Sequence, residues 1–330
     1  MMAAAVTAVL GAAGCGGAKK SADPVSQVPQ TGGLQARVRA ASAPATADFP
    51  ATQGRTLQAL ADSIGGGKLE AALASSVFTV GGNRLAFGVI DSQGQFVYGK
   101  TAIYVAPKPG APAQGPFVAP ADVLITQPPY RSKQSATEQD PFAAIYAAHV
   151  QFKRKGAYSV LVATTVHGKL VATPTQVQVS SHSADPIPEV GEKPPHVQTD
   201  TLASAKGDVS KIDTRQPPDD MHADSFADVV GKKPVALLFA TPQLCQSRVC
   251  GPVVDIAAQM KASYGKRMDF IHQEVYVDNN PKKGIRPPMR AFNLRSEPWL
   301  FVIGRDGRIT ARLEGSVGVK AFEQALKTAL

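Results

Sequence analysis

The sequence predicts two folded units in series, an all-β sandwich followed by an α/β unit, and three observations carry that expectation. Short segments with period-two alternation and many β-branched residues recur through 77–179, separated by polar or glycine turns such as Asp91-Ser92-Gln93-Gly94 and His167-Gly168. A proline-rich break follows, from Asp185-Pro186-Ile187-Pro188 to Pro194-Pro195. Beyond it, an apolar run at 235–240 gives way to helical periodicity and then to further strand and helix patterns, the alternation of a sheet covered by helices.

The chain has 330 residues, 44% of them hydrophobic, which is enough for a sizeable core and for two domains. Its 35 Lys and Arg against 26 Asp and Glu give a formal charge of +9. That charge is spread out, with no basic run interleaved with aromatics, so it argues for an envelope-surface or solubility property and against a nucleic-acid partner. Residues 3–13 are apolar or small and end at Gly14-Cys15. They are too few to span a bilayer, which takes about 20 apolar residues in a helix, and they suit a cleaved export signal. Ala12-Ala13-Gly14-Cys15 resembles a bacterial lipobox, with Ala12 where leucine is usual. The resemblance implies that 1–15 is a lipoprotein signal, that Cys15 is lipidated, and that the mature chain is anchored to a membrane outside the cytoplasm. Residues 16–72 are rich in Ala, Ser, Thr, Gln, Pro and Gly with little periodicity and read as a flexible tether, with room for a short helix at 54–64.

The sandwich is expected over 73–182, with strands at 77–80, 84–90, 95–105, 145–152, 157–166 and 171–179. The turn at Asp91 to Gly94 and the lead Phe152-Lys153-Arg154-Lys155-Gly156-Ala157-Tyr158 resemble those of immunoglobulin-like domains. No cysteine, paired carboxylates or histidine cluster stands out in this stretch, which therefore reads as a spacer or docking module. Residues 183–200 form the linker, and Gly191-Glu192-Lys193-Pro194-Pro195 is similar to the opening of redoxin and peroxiredoxin domains.

Within 201–330 the apolar run at 235–240 fits a strand buried on both faces. Val253, Ile256, Ala257, Met260 and Tyr264 recur at helical intervals, with Gly265 as a stop. A strand at 268–277, a short helical segment at 289–293, strands at 299–303 and 308–313 joined by Asp306-Gly307, and a helix with Val319, Phe322, Leu326 and Leu330 on one face complete the order. Phe239 ahead of the cysteines, Cys250-Gly251-Pro252 opening a helix, and Asn293-Leu294-Arg295-Ser296-Glu297-Pro298 before the last hairpin resemble the thioredoxin-like superfamily. The resemblance implies that Pro298 is cis, faces the cysteines and leaves nearby backbone groups available to an extended substrate. It further implies exchange with envelope protein thiols or disulfides, with no cofactor.

Besides Cys15, the chain has Cys245 and Cys250, separated by four residues where thioredoxins have two. On one regular helix their Cα atoms would lie about 8.5 Å apart, beyond the roughly 7 Å reach of a disulfide. Gly251-Pro252 argues instead for a helix that begins there, leaving Cys245 in the loop and Cys250 just ahead of the helix, where a bond can close. The positive helix end and Arg248 then favour a thiolate at Cys250, so Cys250 is expected to attack and Cys245 to resolve, with the Pro298 loop holding the substrate. Three other readings stay open. A non-enzymatic envelope binding protein could carry the pair as a structural staple, worth about 2–3 kcal/mol. Q-type peroxiredoxins share the cysteine spacing, with Thr241-Pro242 upstream and Arg295 as the anion-stabilising arginine. Sco-type copper proteins have two cysteines and a distant histidine, but no histidine follows His272 here. His222, preceded by Met221, and His272 read as surface or satisfied structural histidines, so no metal is expected.

Overall fold

The structure, a computed structural model, describes residues 23–136 and 142–330. Cys15 and the expected signal lie outside these residues. The expectation of a tether fails from residue 23 onward. Helix α1 (Leu34–Ala41) buries Val38 and Ala41, and the short 3-10 turn Pro24–Gln27 ahead of it buries Val25. Helix α2 (Leu57–Ile64), capped by the Thr56 hydroxyl, buries Leu57 and Leu60. Removing these side chains from water offsets the entropy of ordering the segment. Composition alone hid this, because none of these elements buries more than two residues.

The sandwich begins at β1 (Leu69–Leu73), earlier than expected, and continues through β2 (Phe78–Thr79), β3 (Gly81–Asp91), β4 (Thr101–Ala106), β5 (Gln114–Val118), β6 (Ala121–Val123), β7 (Ala144–Phe152), β8 (Gly156–Val166) and β9 (Lys169–Ser180). One sheet has the order β1-β3-β7-β6 and the other β2-β9-β8-β4-β5. Neighbours pair antiparallel except β2 with β9. Phe152 of the first sheet packs 4.8 Å from Tyr158 of the second. The Asp91 carboxylate accepts the N–H groups of Gln93 and Gln95, and Gly94 takes the left-handed conformation that the turn requires.

The C-terminal unit runs through α3 (Phe226–Val229), β10 (Val235–Phe239), α4 (Cys250–Tyr264), β11 (Asp269–Gln273), α5 (Pro287–Ala291), β12 (Trp299–Ile303), β13 (Ile309–Glu314) and α6 (Val319–Lys327). Its sheet has the order β11-β10-β12-β13, with β10 parallel to β11 and the other pairs antiparallel. This is the order of strands and helices that the sequence patterns led one to expect. Because successive side chains point to opposite faces, Leu237, Phe239, Trp299 and Phe301 meet Phe292 and Phe226 on one side. Ala236, Leu238, Leu300 and Val302 meet α4 and α6 on the other.

That second core does not stop at the helices. It continues without a break into Phe87, Tyr146 and Val160 of the sandwich, so the two units share one apolar interior rather than standing apart. Polar contacts fix the joint. Asp122 accepts the Lys320 and Ala321 N–H groups at the start of α6, at 3.0 and 2.8 Å. Glu314 accepts from Ser76 and Val77, and the half-buried Arg84 guanidinium donates to the Ser316 carbonyl. The proline-rich stretch is likewise held down. Arg312 binds Asp185 and the Ile187 carbonyl, and Gly191 and Glu192 pair with Ile309 at the edge of β13. No helix among the described residues is long and apolar enough to cross a membrane.

Candidate functional site

The apolar strand β10 ends at Phe239 and the chain turns through residues 240–249 before α4 begins at Cys250. The Cys245 N–H donates to the Thr241 carbonyl, and Arg248 takes a left-handed conformation at φ 60°. The loop therefore folds Cys245 back toward Cys250, which is the first residue of the helix rather than just ahead of it as the Gly251-Pro252 argument had placed it. Pro252 is the third helical residue, still within the first turn where its missing N–H costs no helical bond. Gly251 is sterically necessary there, since a Cβ would stand 2.2 Å from the Gln134 carbonyl oxygen. The stretch 131–136 thus lies directly against the first turn of α4.

Both cysteines are free thiols and differ in setting: Cys245 is 7% exposed and Cys250 fully buried. The hydrogen bond from the Cys250 thiol brings Cys245 down to about 6, with help from Ser247, whose hydroxyl is 3.3 Å away, and against the opposing effect of burial. Burial pushes Cys250 well above the usual thiol range, and the Cys245 sulfur beside it acts in the same direction. The thiolate therefore belongs on Cys245, the reverse of the sequence expectation. The helix end that was to favour Cys250 acts on a sulfur with no access to water, and desolvation outweighs it.

Pro298 is cis, as expected, and buried at the start of β12. Its carbonyl already accepts the Gly315 N–H at 2.8 Å, so this group is not available to a substrate strand. Glu297 is the neighbour that senses the cysteines. Burial first, and then the charge at Cys245, raise its carboxyl. Cys245 opens onto a cleft of about 480 Å³ shared by both units, with Phe96, Gln134 and Phe142 on the sandwich side and Gln243 and Arg248 on the other. On the far side of Ser247 a second cleft, of about 530 Å³, is bounded by Val249, Ser296 and Glu297. The sandwich, read from sequence as a spacer, contributes a wall of the site. Its wall residues had no sequence signature, because nothing local marks a contact made across such a chain separation.

Arg215 and Asp255 form a buried ion pair at 2.9 Å beneath this region. The Arg215 guanidinium also donates to the carbonyls of Pro217 and Tyr130, and Asp255 accepts the Ser132 N–H. Burial still raises Asp255 to about 6, with Arg215 opposing. Thr241 is buried, whereas Arg295 is exposed and lines a cleft with Phe78 and Asn293 that neither cysteine borders. His222 and His272 are not on the surface. Both are buried, with ring centroids 5.2 Å apart, beside Asp213 and Asp219.

No family model matches the chain, and no curated protein does. Among solved structures, it is similar to a protein from Chlorobium tepidum described as thiol:disulfide interchange protein DsbE, at 17% identity over 43% of this chain and 98% of the other, with a TM-score of 0.31. A thioredoxin-family thiol:disulfide interchange protein from Chlorobium tepidum TLS gives 17% identity over 43% and 99%, with a TM-score of 0.30. A thioredoxin-like superfamily protein gives 15% over 32% and 84%, with a TM-score of 0.26.

Proposed function

We propose that the protein carries out thiol–disulfide exchange, with Cys245 as the attacking sulfur and Cys250 as the resolving one. The polarisation of the pair carries this reading: a stabilised thiolate at the mouth of a cleft, with a protonated thiol buried directly behind it. The Cys245 thiolate attacks one sulfur of a substrate disulfide, forming a mixed disulfide and releasing a substrate thiolate. That thiolate, or solvent, takes up the Cys250 proton. Cys250 then attacks the Cys245 sulfur and frees the second substrate thiol. The substrate disulfide gains two electrons and the protein dithiol is oxidised; run backwards, the same pair oxidises a substrate dithiol. Ser296 and Glu297, ahead of Pro298, would border the bound substrate. Envelope protein thiols or disulfides are the partners this chemistry fits.

With a reduced chain and a peptide disulfide, Cys250→Ser should accumulate a mixed disulfide at Cys245, seen by mass spectrometry, while Cys245→Ser should form none. The opposite pattern would restore Cys250 as the nucleophile. One observation favours a second reading, a structural staple in a non-enzymatic binding protein: Cys245 itself is only 7% exposed. A reduction potential below about −300 mV for the pair would favour the staple, and a higher one exchange.

The reading includes a lipid anchor at Cys15. Full-length protein made in a bacterial host should sediment with membranes, and Cys15→Ser should release it. Equal solubility of the two forms would remove the anchor from the proposal.

A further inference from the structure

We propose that Asp213, Asp219, His222 and His272 form a structural binding site for a divalent transition-metal ion, with Zn²⁺ as the best match to the donor set. One donor atom from each residue lies within 4.8 Å of all the others. The His272 Nδ1 to Asp219 Oδ2 distance is 2.8 Å, both His222 Nε2 to carboxylate distances are 3.4 Å, and His272 Nδ1 to Asp213 Oδ1 is 3.9 Å. Zinc bonds of about 2.0–2.2 Å give a tetrahedron with edges of about 3.3–3.6 Å. The separations given run from 2.8 to 3.9 Å and involve both oxygens of each aspartate, so an ion would draw one oxygen of each toward itself with small side-chain movements.

The ring of His222 supplies an independent sign. It is 3% exposed, and neither of its nitrogens has a hydrogen-bond partner. A buried imidazole left in that state is costly unless an ion meets it. Its Nε2 faces the two carboxylates at a distance too long for a good hydrogen bond, but suited to two ligands of one ion. His272 is prepared in the manner of a metal-bound histidine. Its Nε2 lies 3.1 Å from the Ala240 carbonyl, which fixes the proton there and turns Nδ1 toward the carboxylates.

The carboxylates are oriented by the backbone. Asp213 accepts the Arg215 and Asp219 N–H groups, and Asp219 accepts the Met221 N–H. A divalent ion with two carboxylates and two neutral imidazoles is electrically balanced, as a dry site requires. Two nitrogen and two oxygen donors, with no thiolate among them, suit Zn²⁺ and its neighbours better than Cu(I). Four protein ligands leave no open position, which makes the site structural. It would pin the stretch 213–222 to β11, independently of the cysteines.

The test uses the full-length chain carrying Cys245→Ser and Cys250→Ser, stripped with a chelator and titrated with Co²⁺. One equivalent should produce the strong visible d–d bands of tetrahedral Co²⁺ without thiolate charge-transfer absorption, and Zn²⁺ should displace it. Adding His222→Ala should weaken binding by at least about 100-fold, the upper end of what even outer-shell changes cost. The thermal midpoint of the chain with His222 intact should rise with Zn²⁺ concentration. No saturable band at millimolar Co²⁺ and no thermal shift with Zn²⁺ would overturn the proposal, as would binding that survives His222→Ala. The first titration and the thermal shift need no ligand variant, so they decide the matter even where His222→Ala fails to fold.

Discussion

In the reduced protein, a limiting alkylating agent should modify Cys245 at a rate that rises with pH through a midpoint near 6 and levels off above it. The thiolate is the reactive form, so at pH 7 a group titrating near 6 is mostly reactive, while one well above 9 is reactive to about 1% or less. Cys245 should therefore be labelled about 100-fold faster than Cys250, before the burial of Cys250 slows it further. Peptide mapping of the alkylated chain at several pH values checks both the order and the midpoint. Faster labelling of Cys250, or a midpoint near the ordinary thiol value of 9.0, would remove the electrostatic basis of the proposed roles.

Arg215→Ala should lower the unfolding free energy at pH 8 by about 3–5 kcal/mol, because it leaves the Asp255 carboxylate buried without its cation. The pH dependence gives the second half of this expectation. The Asp255 carboxyl in the folded protein already sits above its ordinary 3.8, at about 6. Its contribution to stability is therefore fully present below about pH 4 and is lost as pH rises through about 6. Without Arg215 the folded value moves higher still, so protonation at pH 5 removes much of the penalty. Denaturant titrations of wild type and variant should show a smaller difference at pH 5 than at pH 8. Equal differences at the two pH values would mean that Asp255 is not the group left uncompensated.

The strands that frame the site were legible because burial on both faces leaves a continuous apolar run: Trp299–Ile303 stands where the sequence placed it, and Val235–Phe239 within one residue. The loop position of Cys245 was legible from Pro252, since proline limits where a helix can begin. The order of reactivity was not. A helix-end field is worth about 0.3–1 kcal/mol at exposed sites, whereas burying a charge costs several kcal/mol, and no sequence pattern states how deeply Cys250 lies. The helix at 57–64 falls within the stretch 54–64 where the sequence left room for one, whereas the helix at 34–41 was missed because its burial depends on the sandwich it covers. Asp213, Asp219, His222 and His272 come from two segments some fifty residues apart in the chain. Only the Asp219-x-x-His222 spacing, which puts two donors within a few residues, could have drawn attention to them.

The wall that the sandwich places against the cysteine loop would make molecular size a kinetic variable in the proposed exchange. Phe96, Gln134 and Phe142 line the cleft onto which Cys245, only 7% exposed, opens, and Gln134 sits close enough to Gly251 that a single added Cβ would collide with its carbonyl oxygen. In the proposed exchange, a reagent of a few atoms should reach Cys245 more readily than a disulfide embedded in a folded surface, and a cystine on an extended or unfolded segment should react faster than the same cystine in a folded protein. The arrangement would therefore act as a steric filter, sorting partners by how pliable they are rather than by their sequence.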